Sequence, residues 1–181
     1  MKKFVFAALL ALSAAVSFMP AAEAASAREI NAGVRATLDN FFSQIRGSRE
    51  LADKAVGILV FPSVVKAGIG IGGEYGEGAL LIGGQTADYY NTVSASFGFQ
   101  LGVQERSVII CFMTDSALRQ FRKTAGWKVG VDGSVAIITV GVGGSIDTNK
   151  ITSPVVGFVL DPKGLMYNLT LEGSKITRIS R

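Results

Sequence analysis

Three short patterns in this chain have residue types and spacings that support a catalytic or cofactor reading. Ser63-Val64-Val65-Lys66 has the SxxK spacing, in which a lysine one helical turn from a serine activates it as a nucleophile. The paired valines favour extended backbone, which sends Ser63 and Lys66 to opposite faces. Glu74 and Glu77 are spaced as a candidate acid/base pair, but three residues apart on a strand they diverge. Gly68-Ile69-Gly70-Ile71-Gly72-Gly73 satisfies GxGxxG, and Asp88 lies about twenty residues beyond its first glycine. A dinucleotide site needs a helix after those glycines, and Glu74-Tyr75-Gly76-Glu77-Gly78 is a poor helix former. No catalytic residue is expected, and a hydrolase is the weakest of the functional readings.

Composition narrows the chemistry further. The 181 residues include no histidine and one cysteine, which excludes serine–histidine and cysteine–histidine nucleophile pairs and every histidine-containing zinc site. Cys111 lies within the apolar run Val108–Met113 and reads as a buried side chain. No metal, cofactor or nucleic acid is expected as a partner.

The remaining constellation is basic. Arg119, Arg122 and Lys123 share one predicted helix, and Trp127, the sole tryptophan, and Lys128 follow closely. Cations beside an indole suit a membrane interface, where the cations meet phosphate and the ring sits at headgroup depth. The alternative is a solvated helix face with a core tryptophan.

Several elements must position these groups. Residues 1–24 read as a secretory signal: Lys2 and Lys3, an apolar stretch from Phe4 to Met19, Pro20, and the small-x-small site Ala22-Glu23-Ala24. Ala25-Ser26-Ala27 offers a second such site. Removing 1–24 takes away two lysines and one acid, lowering the formal charge from +4 to +3. Residues 25–181 are then expected to form one domain, periplasmic or secreted, in the manner of a bacterial export substrate.

Apolar residues Ile30, Val34, Leu38, Phe41, Phe42 and Ile45 predict an amphipathic helix over Arg28–Arg46. Gly47 ends it, and Ser48 is placed to cap a second helix running through Ala55. A third helix is capped by Thr114 or Asp115 and closed by Gly126. Strand patterns occupy most of the rest, at 65–72, 79–82, 93–99, 103–113, 128–131, 135–142, 155–160, 165–171 and 176–180, with a type I turn at Asp161-Pro162-Lys163-Gly164. An echo between 129–135 and 140–146 reads as a local strand-pair duplication. The expected fold is α+β: N-terminal amphipathic helices packed on a strongly curled, mainly antiparallel, glycine-rich or barrel-like sheet, with one further short helix. The continuous apolar run Val108–Met113 predicts burial on both faces. An outer-membrane β-barrel or an envelope structural protein is the alternative architecture.

The segment from Lys54 to Gly78, with its Val60-Phe61-Pro62, Lys66-Ala67-Gly68 and spaced glycines, resembles the SYLF domain family, whose members are of lipid-binding and actin-regulator type. Ser96–Gln104 and Phe112–Leu118 are similar to the same family. The resemblance implies a non-enzymatic module that binds phospholipid or a membrane surface, phosphoinositides among the ligands of eukaryotic members, some of which also bind actin. A periplasm holds no actin, so lipid is the function carried over, with Arg119, Arg122, Lys123, Trp127 and Lys128 as its contacts. Protein partners are unknown at this level.

Overall fold

In a computed structural model the described residues are 25–98, 104–138, 143–160, 171 and 173–181, without the side chains of 67–71 and 96–98. Helix α1 (Ala27–Gln44) presents Ile30, Val34, Thr37 and Phe41 as one buried stripe. It opens with a capping box in which the Ser26 hydroxyl accepts from the Glu29 amide and the Glu29 carboxylate accepts from the Ser26 amide. The chain leaves it at Ile45 and turns through Gly47 at φ 82°, where a side chain would collide with the Ile146 carbonyl. Helix α2 (Ser48–Lys54) starts one residue after that turn. Ser48 is therefore not the cap expected from sequence. Gly47 holds the cap position, and the fully buried Ser48 hydroxyl donates 2.6 Å to the Ile45 carbonyl.

Among the described residues the sheet has seven strands: β1 (Gly57–Ile82), β2 (Gln85–Gly98), β3 (Gln104–Phe112), β4 (Trp127–Lys128), β5 (Ala136–Ile137), β6 (Val155–Leu160) and β7 (Lys175–Ile179). Their order is β4-β7-β2-β1-β3-β6-β5, antiparallel throughout except for the parallel pair β5 and β6. The separate strands expected at 65–72 and 79–82 are parts of one 26-residue strand. Its first part pairs with β3, from Gly57↔Phe112 to Lys66↔Gln104. Its second part pairs with β2, from Gly70↔Gly98 to Ile82↔Gln85.

Such a strand must bend sharply, and its glycines let it. A Cβ on Gly76 would lie 2.7 Å from the Ser63 carbonyl oxygen, and one on Gly78 would collide with the Val60 carbonyl, so the two parts of β1 touch backbone to backbone. That contact produces the strongly curled, α+β architecture anticipated from glycine content. Gly83 and Gly84, both at positive φ, close the hairpin into β2.

Both faces of the sheet are buried near its middle. Along β3, Val108, Ile110 and Phe112 point into the curl while Ile109 and Cys111 meet the helices. Helices α1 and α2 cover the outer face, where Phe41 lies 4.8 Å from Phe158. The third helix, α3 (Asp115–Lys123), is capped by the Thr114 hydroxyl accepting from the Ala117 amide and ends at Thr124, two residues before the expected Gly126. It plugs the inner face: Phe121 packs 4.9 Å from Tyr90 and Phe112 and 5.4 Å from Trp127.

The strand expected over 135–142 is only the two residues of β5 among those described, and 139–142, 165–170 and the Asp161–Gly164 turn lie outside the described residues. Of the expected strand-pair echo, the described part of 129–135 is a turn closed by a Val129↔Gly133 bridge.

Candidate functional site

The catalytic patterns fall apart in space. Gly68–Gly73 lie within β1 and lead into no helix. Ser63 and Lys66 are on the same strand, in extended backbone. Glu74 turns into the curl, where it pairs with Arg106 and accepts 3.2 Å from the Ser94 hydroxyl. Glu77 turns to the opposite side and meets Tyr75 and Arg181. The space beside Glu74 and Arg106 inside the curl is about 10 Å³, too small for a headgroup.

The basic constellation is dispersed in an informative way. Trp127 is 2% exposed and sits in the inner core against Phe121, which corrects the expectation of an interfacial anchor. The strand alternation of β4 decides this, because Trp127 pairs with the buried Ile176 while Lys128 points outward. Arg122 is exposed, but its guanidinium donates 3.0 Å to Asp88, a nearly buried carboxylate that also pairs with Arg178. That negative charge, after burial itself, pushes the neighbouring Tyr90 phenol up. Arg119, Lys123 and Lys128 are exposed, and among the described residues none is paired with a carboxylate.

Lys128 has company that the sequence alone does not reveal. The registers Lys128↔Lys175, Lys175↔Val93 and Val93↔Tyr75 place these four residues in one row across β4, β7, β2 and β1. All four point outward: Val93 is 47% and Tyr75 46% exposed, and both lysines are exposed. Beyond Lys128 the tight turn 129–133 lifts Val131 to 78% exposure. Helix α3 abuts this turn through Gln120, whose amide donates 2.7 Å to the Asp132 carbonyl. The Asp132 carboxylate is occupied by the Lys128 backbone amide at 2.7 Å.

Lys128 and Lys175 directly opposite one another are an unfavourable pair in a sheet, because like charges at a cross-strand site repel. Val131, this bare, likewise gains nothing from burial in the fold. Together they form a surface with cations, an aromatic hydroxyl and aliphatic groups side by side. Tyr75 contributes its ring; its phenol is pushed up by burial and by donating 2.6 Å to Glu77.

A second concavity, about 510 Å³, lies between α1, α2 and the ends of β1. Its charged walls are Arg35, Arg49, Asp39 and Asp53, two of each sign, so it has no preference for an anion. Arg49 is moreover stacked over Phe42 at 4.5 Å.

No curated protein matches the chain. Residues 93–180 match the family model described as Las17-binding protein actin regulator, Ysc84. That stretch takes in Ser96–Gln104, Phe112–Leu118, α3, β4, β7 and the end of β2 from Val93 on, and leaves out Lys54–Gly78. Over residues 93–180 the chain thus carries a match to the Ysc84 (SYLF) domain.

Proposed function

We propose that this protein is a non-enzymatic module of the bacterial envelope that lies on anionic phospholipid through the outward row Lys128, Lys175, Val93 and Tyr75, with Val131 dipping beside it. The family supports the coarser part, since it is one of lipid- and actin-related binding modules and not of enzymes. The observation that carries the finer part is the cross-strand lysine pair beside exposed apolar groups. An anionic surface relieves the repulsion, and aliphatic side chains gain by entering the headgroup boundary.

Lys128 and Lys175 are the cations of the row, and Arg119 and Lys123 are exposed on α3. At about 1 kcal/mol for each basic residue near an anionic leaflet, attachment is reversible and salt-sensitive. The secretory reading of residues 1–24 supports a location in the periplasm or outside the cell, and the outward row supports peripheral association with a membrane there. A membrane-spanning barrel fits less well, because α1 and α2 cover outer-face residues that such a barrel would turn to lipid.

The test is co-sedimentation with vesicles of phosphatidylglycerol and phosphatidylethanolamine, compared with phosphatidylcholine alone, at low and at 0.5 M salt. Anionic vesicles should retain the protein at low salt and release it at high salt. Equal retention on both vesicle types would overturn the assignment.

A further inference from the structure

The second carboxylate of the Glu74/Glu77 pair has a role that neither the catalytic nor the lipid reading uses. The Glu77 side chain is 6% exposed. One of its oxygens, Oε1, accepts 2.6 Å from the Tyr75 hydroxyl and pairs with the Arg181 guanidinium. The other, Oε2, accepts 3.1 Å from the backbone nitrogen of Ala25. Ala25 is the residue that follows the small-x-small site Ala22-Glu23-Ala24.

We propose that proteolytic processing occurs after Ala24 and delivers the new α-ammonium of Ala25 to Glu77, where it forms a part-buried ion pair that latches the start of the mature chain to the sheet. A peptidase adds water across the Ala24–Ala25 amide. The C–N bond breaks, hydroxyl goes to the Ala24 carbonyl carbon, and the Ala25 nitrogen leaves as an amine that takes up a proton at neutral pH. A neutral amide donor to Glu77 becomes a charged one, and charge-assisted hydrogen bonds are about twice as strong as neutral ones.

The surrounding geometry selects this site over Ala25-Ser26-Ala27. Cleavage after Ala27 would remove Ser26, whose hydroxyl and amide complete the capping box of α1 with Glu29. It would also strip Glu77 Oε2 of its partner. Cleavage after Ala24 preserves the cap and leaves the nitrogen one residue before it, held in place by the helix it precedes.

This inference rests on the secretory reading of residues 1–24 and is independent of lipid binding. Two measurements on the exported protein test it. Intact mass and N-terminal sequencing should show Ala25 as the first residue; a first residue at Arg28, or a retained leader, overturns the proposal. The pH–rate profile for acylation of the α-amine then reads the latch. The charged groups facing this nitrogen are Glu77 and Arg181, with the Tyr75 phenol beside them and Glu29 tied to the adjacent Ser26 amide. The negative carboxylate in contact should move the profile about one pH unit above the ordinary α-amine range of roughly 7.7–8.0. Glu77→Gln should return it to that range while R181Q keeps it displaced. Should E77Q fail to fold, the wild-type profile alone decides, measured against a free peptide beginning Ala-Ser-Ala. A wild-type profile coinciding with that of the peptide overturns the latch.

Discussion

The outer face of the sheet is two surfaces on the same strands. Toward the Gly83–Gly84 hairpin it carries Ala79, Leu81 and Tyr89 against α1, and through β3 and β6 it continues into Ile109, Cys111, Val156 and Phe158. A few residues along β1 and β2, past the reach of the helices, the same outward positions are Tyr75 and Val93, and β7 and β4 extend them with Lys175 and Lys128. The pleat is continuous between the two. What changes is whether a helix arrives to cover it, so composition follows from the covering layer and not from the strand. A covered position wants volume and no charge; a bare one carries lysine, and where it keeps valine or tyrosine, strand propensity and not burial is what the fold gains from it.

The covered surface should give the largest effects. Burial pushes the Cys111 thiol up to about 12, so at pH 8 only about one thiol in ten thousand is ionised in the folded protein. Alkylation by iodoacetamide at pH 8 should be negligible until denaturant unfolds the chain. The same shift gives a pH dependence: the folded thiol keeps its proton while the unfolded one loses it near 9, so this group's contribution falls as pH rises above about 9 and is constant below. Rapid labelling in the native state would mean that the layer under α1 is not closed. Phe158→Ala, which empties the contact with Phe41, should cost about 3–5 kcal/mol, or about 10 °C or more in melting temperature by calorimetry. Anionic vesicle binding by the fraction that remains folded should be unchanged.

The bare surface should respond in the opposite sense. K128Q combined with K175Q removes two outward charges, which at about 1 kcal/mol each weakens binding to phosphatidylglycerol vesicles about thirtyfold. Its melting temperature should hold or rise slightly, because a repulsive cross-strand pair has gone. Loss of stability together with unchanged binding would erase the distinction between the two surfaces.

How much of this contrast is legible in the sequence depends on the range of the interaction. The α1 stripe, the Thr114 cap and the divergence of Glu74 from Glu77 follow from spacing within a few residues, and they stand in the structure. Ser48 is not the cap because the left-handed Gly47 holds that position, a single dihedral that composition does not reveal. The lysine row was invisible for a different reason. Lys128 and Lys175 are 47 positions apart and meet only through the β4–β7 register, which depends on how the whole sheet curls. The pairing of Arg122, expected as a lipid contact, is hidden for the same reason, since Asp88 reaches it from β2. The long β1 resembles separate strands in sequence because glycines that normally interrupt a strand here let one strand bend against itself.

The smallest effect sharpens the comparison most. Trp127 and Lys128 are consecutive, yet the first faces the core and the second faces out. If the tryptophan were an interfacial anchor, moving from water into headgroups would shift its emission to the blue. Packed edge-on against Phe121 at 2% exposure, the ring already occupies an apolar site. Its emission maximum should therefore hold steady as anionic vesicles are added, over the same concentrations at which sedimentation records binding. A blue shift that tracks binding would require β4 to peel from β7 and turn its core face to lipid, breaking the Lys128↔Lys175 register on which the outward row depends. An unchanged spectrum leaves the lysines, Val93, Tyr75 and Val131 as the contacting groups, with the tryptophan beneath them holding β4 in place.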